Sequence, residues 1–231
     1  MRIILLFLFC SSLFGALPQA SLNTYDYESR LWRISVRTNL SDVSASSYRT
    51  STKYMLNIKR WGVRQCIAYC LPYLGTNLAA CRMPLIYDIS GSSGAIGTNG
   101  IPEGDYSEAT GITLSGSGYL VCGFGMNAIG TFAHISAYVR STPTAVNHIL
   151  IGANSSPNGF CYLYHNPADT SMYGALNDSG ANCITPDASG IGLYMHTRTA
   201  TNNASTYNNG ALICNTTANL GVSPGGVNVT I

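Results

Sequence analysis

Two stretches of the chain decide its fold: Phe132-Ala-His-Ile-Ser-Ala-Tyr-Val-Arg140 and Ile191-Gly-Leu-Tyr-Met-His-Thr-Arg198. Each alternates with a period of two, which is typical of a β-strand with one face in a core and the other outside it. We predict that the aromatic, histidine and arginine side chains of both strands share an outer face. The candidate ligand-binding residues on that face are His134, Tyr138, Arg140, Tyr194, His196 and Arg198.

The composition supports an all-β domain. Only 10% of the 231 residues are charged and 24 are glycine, a profile that favours strands and turns over helices rich in Glu, Lys and Arg. The formal net charge is +2 and no basic stripe is present, which argues against nucleic-acid binding.

Short strands recur along the second half of the chain, separated by turn residues. Asn208-Asn209-Gly210 predicts a hairpin, because Asn-Gly tolerates the positive φ angles of a type I′ turn. Strands without intervening helices predict an antiparallel β-sandwich over residues 86–231. The stretch Val227–Ile231 has the pattern of a strand interior, so we expect further strands beyond it. The predicted strands span about 118–124, 131–141, 147–153, 159–165, 171–176, 191–199, 204–208 and 211–215.

The amino terminus has the pattern of an export signal over residues 1–20. Arg2 precedes the apolar run Ile3–Phe9, and small residues follow it. The run is shorter than the roughly 20 residues that span a bilayer, so we predict a secreted or surface-exposed protein without a membrane span in its mature chain.

Residues 21–85 are predicted to form an extension with short helices. The stretch up to Ser47 shows little periodicity, whereas Ser51 to Leu74 has apolar residues near helical spacing. Ser51 or Thr52 is the candidate cap, and Gly62 is expected to divide the segment.

Seven cysteines remain after the predicted signal. Export permits disulfides, but an odd number leaves at least one thiol without a partner in the chain. Buried thiols are the alternative, and the sequence leaves both open. Cys66 and Cys70 would be neighbours on one face if their segment were helical. The seven are Cys66, Cys70, Cys81, Cys122, Cys161, Cys183 and Cys214.

A series of short motifs resembles the concanavalin A-like (laminin G-like) jelly roll of phage tail, virion-associated and bacterial surface proteins. The likeness covers roughly residues 53–215 and rests on the order of many weak motifs. It implies a role in glycan binding, adhesion or virion decoration. The motifs are Ile58-Lys-Arg-Trp-Gly-Val63, Pro72-Tyr-Leu-Gly75, Asp105-Tyr-Ser-Glu-Ala-Thr-Gly-Ile112, Gly118-Tyr-Leu-Val-Cys-Gly123, His134-Ile-Ser-Ala-Tyr-Val-Arg140, Ile149-Leu-Ile-Gly152, Gly190-Ile-Gly-Leu-Tyr194, Thr197-Arg-Thr199 and Tyr207-Asn-Asn-Gly210.

Three functions follow from these patterns. Recognition of a glycan or cell-surface polysaccharide is favoured, because flat aromatic rings beside Arg and His suit the apolar faces and hydroxyls of sugars. A structural subunit of a virion, tail or surface assembly is the first alternative. A glycoside hydrolase is the second, with Glu103, Asp105 and Glu108 as its carboxylates. Pro102 and Gly104 disfavour a strand there, so we expect these carboxylates to lie in a loop. We therefore expect a protein that is not an enzyme.

No metal or cofactor site is predicted. The four histidines, His134, His148, His165 and His196, lack metal-ligand spacing. Calcium is the one ion that the sequence leaves open, since loop aspartates can bind it together with backbone carbonyls. The aspartates concerned are Asp88, Asp105, Asp178 and Asp187.

Overall fold

The structure is a computed structural model. It describes residues 2–4, 26–38, 43–89, 97–113, 118–125, 128, 133–141, 148–154, 160–178, 183–187, 190–217 and 228–230. In this part of the chain no helix combines the length and the apolar character needed to cross a membrane.

Helices occur only near the amino-terminal side of the described residues, and strands make up most of the rest. The helices are α1 (Tyr27–Thr38), α2 (Ala45–Arg60) and α3 (Leu78–Cys81), with 3₁₀ turns at Arg64–Cys66 and Glu103–Asp105. The strands are β1 (Arg2–Ile4), β2 (Ile67–Cys70), β3 (Ile86–Tyr87), β4 (Gly97–Asn99), β5 (Tyr106–Ser107), β6 (Gly111–Ile112), β7 (Tyr119–Gly125), β8 (Ala133–Val139), β9 (His148–Asn154), β10 (Phe160–Asn166), β11 (Ser171–Asp178), β12 (Cys183–Pro186), β13 (Gly192–Ala200), β14 (Asn203–Asn208), β15 (Ala211–Thr216) and β16 (Asn228–Thr230).

The strands form two seven-stranded sheets and a small hairpin of β5 and β6. Sheet I has the order β15-β14-β13-β8-β1-β2-β3, and sheet II has the order β12-β11-β10-β9-β16-β7-β4. All pairs are antiparallel except those of β1, which runs parallel to β8 and β2. The all-β class is confirmed, and a strand is present at each of the eight positions predicted from residue 118 onward.

The main core lies between the two sheets. Tyr69 and Tyr194 of sheet I share this core with Phe124 and Leu163 of sheet II. The Tyr69 and Phe124 rings have centroids 4.9 Å apart and are tilted by 57°, an arrangement that aromatic pairs prefer. The two sheets are therefore packed face to face as a sandwich.

A second core lies between the helices and the β2–β3 end of sheet I. Trp32 of α1 and Met55 of α2 are buried there against Ile67 and Ile86. The predicted extension and the sandwich are thus joined, since β2 falls within residues 21–85 and pairs in sheet I. Arg2–Ile4, from the predicted signal, also pairs in sheet I, while most of residues 1–20 lie outside the described part of the chain.

The helical segment differs from the prediction at both ends. The helix begins at Ala45 rather than near Ser51, because the Ser44 hydroxyl caps it by accepting a hydrogen bond from the Ser47 amide at 3.0 Å. It ends at Arg60, since Gly62 adopts a φ of +68°, which terminates a helix. Cys66 and Cys70 consequently lie on a 3₁₀ turn and a strand, and not on one helix face.

Helix α1 occupies a segment in which no helix was expected. Asp26 Oδ1 caps it, accepting hydrogen bonds from the amides of Glu28 at 3.0 Å and Ser29 at 3.1 Å. Trp32 and Val36, four residues apart, form its buried face. A cap followed by two apolar residues at helical spacing is a weak pattern, and the second core is what makes this helix stable.

The predicted hairpin turn is confirmed. Asn209 and Gly210 connect β14 to β15 with φ angles of +49° and +84°, the positive values that a type I′ turn requires. Leu193 of β13 donates its amide to the side chain of Asn209 at 3.0 Å, so the turn is also tied to the next strand of sheet I.

We predict that Gly174→Ala destabilises the sandwich. An added Cβ on β11 would lie 2.5 Å from Nδ1 of His196 and 2.8 Å from the Thr206 hydroxyl, both in sheet I. Overpacking of this kind costs about 1–3 kcal/mol, or a fall in melting temperature of roughly 2–10 °C. Thermal denaturation followed by circular dichroism measures it. Gly104→Ala is the control, because no atom lies within 4 Å of its added Cβ; an equal shift in both variants would contradict the prediction.

Candidate functional site

The structure does not bring the six predicted binding residues onto one surface. In the β8–β13 register, His196 lies opposite Ile135 and Thr197 opposite His134, so the two histidines point to opposite faces of sheet I. Tyr194, His196 and Arg198 are at most 1% exposed, with their side chains on the face that meets sheet II. The prediction that these side chains lie on a shared outer face is therefore wrong for β13. The remaining residues are His134 and Tyr138 on the other face of β8, and Arg140 just after it.

Tyr194 belongs to a hydrogen-bonded group at one end of the sandwich. Its hydroxyl donates to Asp187 Oδ2 at 2.5 Å. The side-chain amide of Asn208 donates to the same carboxylate oxygen at 3.0 Å and to the Tyr194 hydroxyl at 3.2 Å. His165 is hydrogen-bonded to the Asp187 carbonyl at 2.8 Å. These contacts attach the segment after β12 to both sheets, which is a structural role.

His196 and Arg198 carry polar contacts inside the sandwich. His196 Nδ1 is hydrogen-bonded to the Thr206 hydroxyl at 2.8 Å. Arg198 Nη1 donates to the Leu176 carbonyl at 3.2 Å, a hydrogen bond from sheet I to sheet II. Burial, with a smaller contribution from the charge of His134, lowers the pKa of His196 to about 3.

We predict that His196 makes the stability of the sandwich fall as the pH drops from about 6.5 to 3. Its pKa is lowered in the folded state, so the unfolded chain takes up a proton first and unfolding becomes easier with acid. The slope in the free energy of unfolding is about 1.4 kcal/mol per pH unit for one such group. Urea unfolding between pH 4 and 6 measures it, and His196→Gln should reduce the slope by that amount.

The control for this experiment is Thr206→Val. It removes the hydrogen-bond partner of His196 but leaves the titrating ring in place. The variant should therefore keep the wild-type slope at a lower absolute stability. A His196→Gln slope equal to that of the wild type would show that another group is responsible.

The carboxylates of the hydrolase alternative have structural partners. Glu103–Asp105 is a 3₁₀ turn, not the bulged strand that this alternative needs. Glu103 Oε1 accepts the Leu78 amide at 2.7 Å, at the start of α3. Glu108 accepts hydrogen bonds from the hydroxyls of Ser44 and Ser47 at the start of α2. Carboxylates are favourable at helix amino termini, and these two attach the β5–β6 hairpin to the helices.

The aspartates considered for calcium lie apart in the fold. The Asp88 carboxylate accepts a hydrogen bond from Arg64, and that of Asp187 accepts from Tyr194 and Asn208. Asp105 lies in the 3₁₀ turn, and the side chain of Asp178 is outside the described residues. Among the side chains that the structure describes, no three His, Cys, Asp or Glu residues converge on a possible metal position.

A different concave site lies where helix α1 meets β3. The Trp32 indole of α1 donates to the Met83 carbonyl at 3.0 Å, which holds the helix beside the segment that leads into β3. Between the two is a cleft of about 240 Å³. Leu31 of α1 and Tyr87 of β3 line this cleft and remain 44% and 50% exposed.

The polar part of the α1–β3 cleft is an arginine held between two carboxylates. Arg64 donates from Nε to Glu28 Oε1 at 2.7 Å and from Nη1 to Asp88 Oδ2 at 2.8 Å. Burial alone would lower the pKa of Arg64, but the hydrogen bonds to Asp88 and Glu28 raise it above its usual value. The guanidinium is therefore permanently charged and fixed in orientation.

A lysine extends this network to the cap of α1. Lys59 Nζ lies 2.5 Å from Asp26 Oδ2 and 2.7 Å from Glu28 Oε2, so Glu28 is bonded to two cations at once. The three carboxylates of Asp26, Glu28 and Asp88 and the two cations of Arg64 and Lys59 leave the network with one net negative charge. The cleft thus offers hydrogen-bond donors and acceptors beside apolar surface, without a strong field of either sign.

This cleft was missed from the sequence. Its residues come from α1, a 3₁₀ turn and β3, and they meet only because both cores form. The cap at Asp26 and the spacing of Trp32 and Val36 could have identified α1. The sequence suggested Asp88 only as a loop aspartate that could bind calcium.

Comparisons with known proteins identify no family. No protein-family model matches the chain, and no curated protein matches it. Among solved structures, the carbohydrate binding module CBM66 from Bacillus subtilis is similar with a TM-score of 0.38 and 8% identity, covering 62% of this chain and 89% of that one. At that score and identity the similarity carries no argument about the ligand of this chain.

Proposed function

We propose that the protein is a glycan-binding module and that the ligand occupies the α1–β3 cleft. The observation that carries this proposal is the exposed Tyr87 and Leu31 in a concave site with the Arg64–Glu28–Asp88 network. Adhesion to a surface polysaccharide is the biological role that we propose for such binding. The sandwich would belong to the concanavalin A-like jelly-roll class.

The chemistry of the cleft suits a neutral sugar. One face of a pyranose ring presents C–H groups that pack against a tyrosine ring or a leucine side chain. The rim of the same ring presents vicinal hydroxyls, which donate to carboxylates and accept from a guanidinium. Arg64, Glu28 and Asp88 supply both functions at fixed positions, and Asp88 remains 59% exposed. A strongly charged ligand would instead meet cations and carboxylates in nearly equal number.

We also propose that the module binds without catalysis. Glu103 and Glu108, the carboxylates of the hydrolase alternative, accept hydrogen bonds from the starts of two helices and so have a sufficient structural reason to be present. Their replacement by Gln should lower stability and leave no hydrolytic activity to lose.

We predict that Tyr87→Ala weakens glycan binding about tenfold, or about 1.4 kcal/mol, by removing the ring that lines the cleft. An array of neutral oligosaccharides identifies a binding sugar, and isothermal titration with that sugar measures the dissociation constant. Asp88→Asn, which removes the charge and keeps the shape of the side chain, should also weaken binding.

Tyr119→Ala is the matched control, because Tyr119 is an exposed tyrosine on β7 of sheet II. It should bind like the wild-type protein. Equal affinity of the Tyr87→Ala and wild-type proteins would reject the cleft as the site. A structural subunit of a virion or surface assembly would show no saturable binding to any sugar on the array.

We further propose that the protein is secreted or displayed at the cell surface. The support is the apolar run that follows Arg2 and the small residues after it. Cleavage there would remove Arg2–Ile4, which pairs with β8 and β2. A chain that is exported and cleaved therefore cannot keep β1 in sheet I. Mass spectrometry of the protein recovered from the medium should find an amino terminus between residues 16 and 21. A chain that still contains Arg2 would contradict cleavage.

A further inference from the structure

The open edges of the two sheets meet at one side of the sandwich. Strand β12 is the last strand of sheet II and β15 is the last strand of sheet I. These two strands lie against each other, and β12 also contacts β14. No ladder hydrogen bonds join them, because they belong to different sheets.

Each of these edge strands carries one cysteine. Cys183 begins β12, opposite Gly174 of β11, and Cys214 lies on β15, opposite Thr206 of β14. Gly174 and Thr206 themselves approach across the sandwich, since a Cβ on Gly174 would lie 2.8 Å from the Thr206 hydroxyl. Cys183 and Cys214 are therefore paired, each within its own sheet, with two residues that approach each other between the sheets.

The two thiols lie within hydrogen-bonding distance of each other, where β12 and β15 meet. Burial, and the hydrogen bond between the Cys214 and Cys183 thiols, raise the pKa of Cys214 to about 12. The Cys183 thiol is buried and lies 3.8 Å from the Ala204 carbonyl on β14, whereas Cys214 is half-buried and open to solvent. Both are thiols in this structure.

We propose that Cys183 and Cys214 form a disulfide that joins the edges of sheets I and II when the protein meets an oxidising disulfide. Neither cysteine lines the α1–β3 cleft, and the proposed glycan binding does not involve them. The cross-link would close the segment between them and lower the entropy of the unfolded chain. It would also hold the two outermost strands, β12 and β15, together.

The reaction is a thiol–disulfide exchange with a small disulfide such as oxidised glutathione. The Cys214 thiol first loses its proton to solvent, and its sulfur then attacks one glutathione sulfur, forming a mixed disulfide and releasing the first glutathione as thiolate, which takes up a proton. The Cys183 thiolate then attacks the Cys214 sulfur and displaces the second glutathione. The two cysteines lose two electrons and two protons in all, and oxidised glutathione takes them up as two molecules of the reduced thiol.

Access distinguishes this pair from the cysteines of the cores. Cys70, Cys81 and Cys122 are 0% exposed, so a solvated disulfide cannot reach them in the folded protein. Cys214, in contrast, offers the oxidant a half-buried sulfur with its partner already beside it.

Peptide mapping of the full chain tests the proposal. The protein is purified with a reductant, transferred to oxidised glutathione, and alkylated to block the remaining thiols. Digestion with trypsin and a protease that cuts before Asp178 and Asp187 separates Cys183 from Cys161. The expected product is one linked peptide pair that contains Cys183 and Cys214, two hydrogen atoms lighter than the reduced peptides.

Thermal denaturation provides the second measurement. Oxidation should raise the melting temperature of the wild-type protein by about 10 °C. Cys214→Ser and Cys183→Ala should each lose the linked peptide and this rise, whereas Cys66→Ser should keep both. Alkylation of both Cys183 and Cys214 after the treatment, or linkage of either to another cysteine, would overturn the proposal. Because the mapping uses the unaltered chain, its result does not depend on whether the variants fold.

Discussion

The pairing register between β8 and β13 determines which side chains of sheet I face sheet II. With Ile135 opposite His196 and His134 opposite Thr197, every second residue of β13 from Tyr194 to Arg198 points into the sandwich. A shift by one residue would exchange the two faces of the strand and expose Tyr194, His196 and Arg198 together. The register is therefore what converts a candidate binding surface into the interior of the protein.

Three buried polar side chains of β13 have hydrogen-bond partners across or along the sheets. Arg198 reaches a carbonyl of sheet II, His196 bonds to Thr206, and Tyr194 bonds to Asp187. Gly174 leaves the space that the His196 ring occupies. These hydrogen bonds help to specify one arrangement of the two sheets, since other arrangements would break them, although Nε2 of His196 is buried with no partner among the described residues.

The proposed binding cleft and the proposed disulfide lie at opposite edges of sheet I. The cleft adjoins β3, the last strand at one edge, while Cys214 is on β15, the last strand at the other. The helices cover the β3 end and bring Glu28 to Arg64, whereas the pair of free cysteines lies at the β15 end. The two features can therefore be altered independently, as distant sites in a packed domain generally can.

The all-β class, every described strand from residue 118 onward except β12, and the hairpin at Asn209-Gly210 could be predicted from the sequence, because period-two alternation and turn chemistry are local properties. The sequence also indicated a helix in the lead-in that is interrupted at Gly62, although the cap was placed at Ser51 or Thr52 instead of Ser44 and a strand follows Gly62 where more helix was expected. The direction in which the alternating faces point came from tertiary packing, because both faces of β13 contain large side chains and the apolar Leu193 and Met195 lie on the face away from sheet II. The tertiary structure alone brought Leu31, Arg64 and Tyr87 to one cleft and Cys183 to Cys214, because the residues of each set are separated by more than twenty positions and meet only when the cores and sheets are complete.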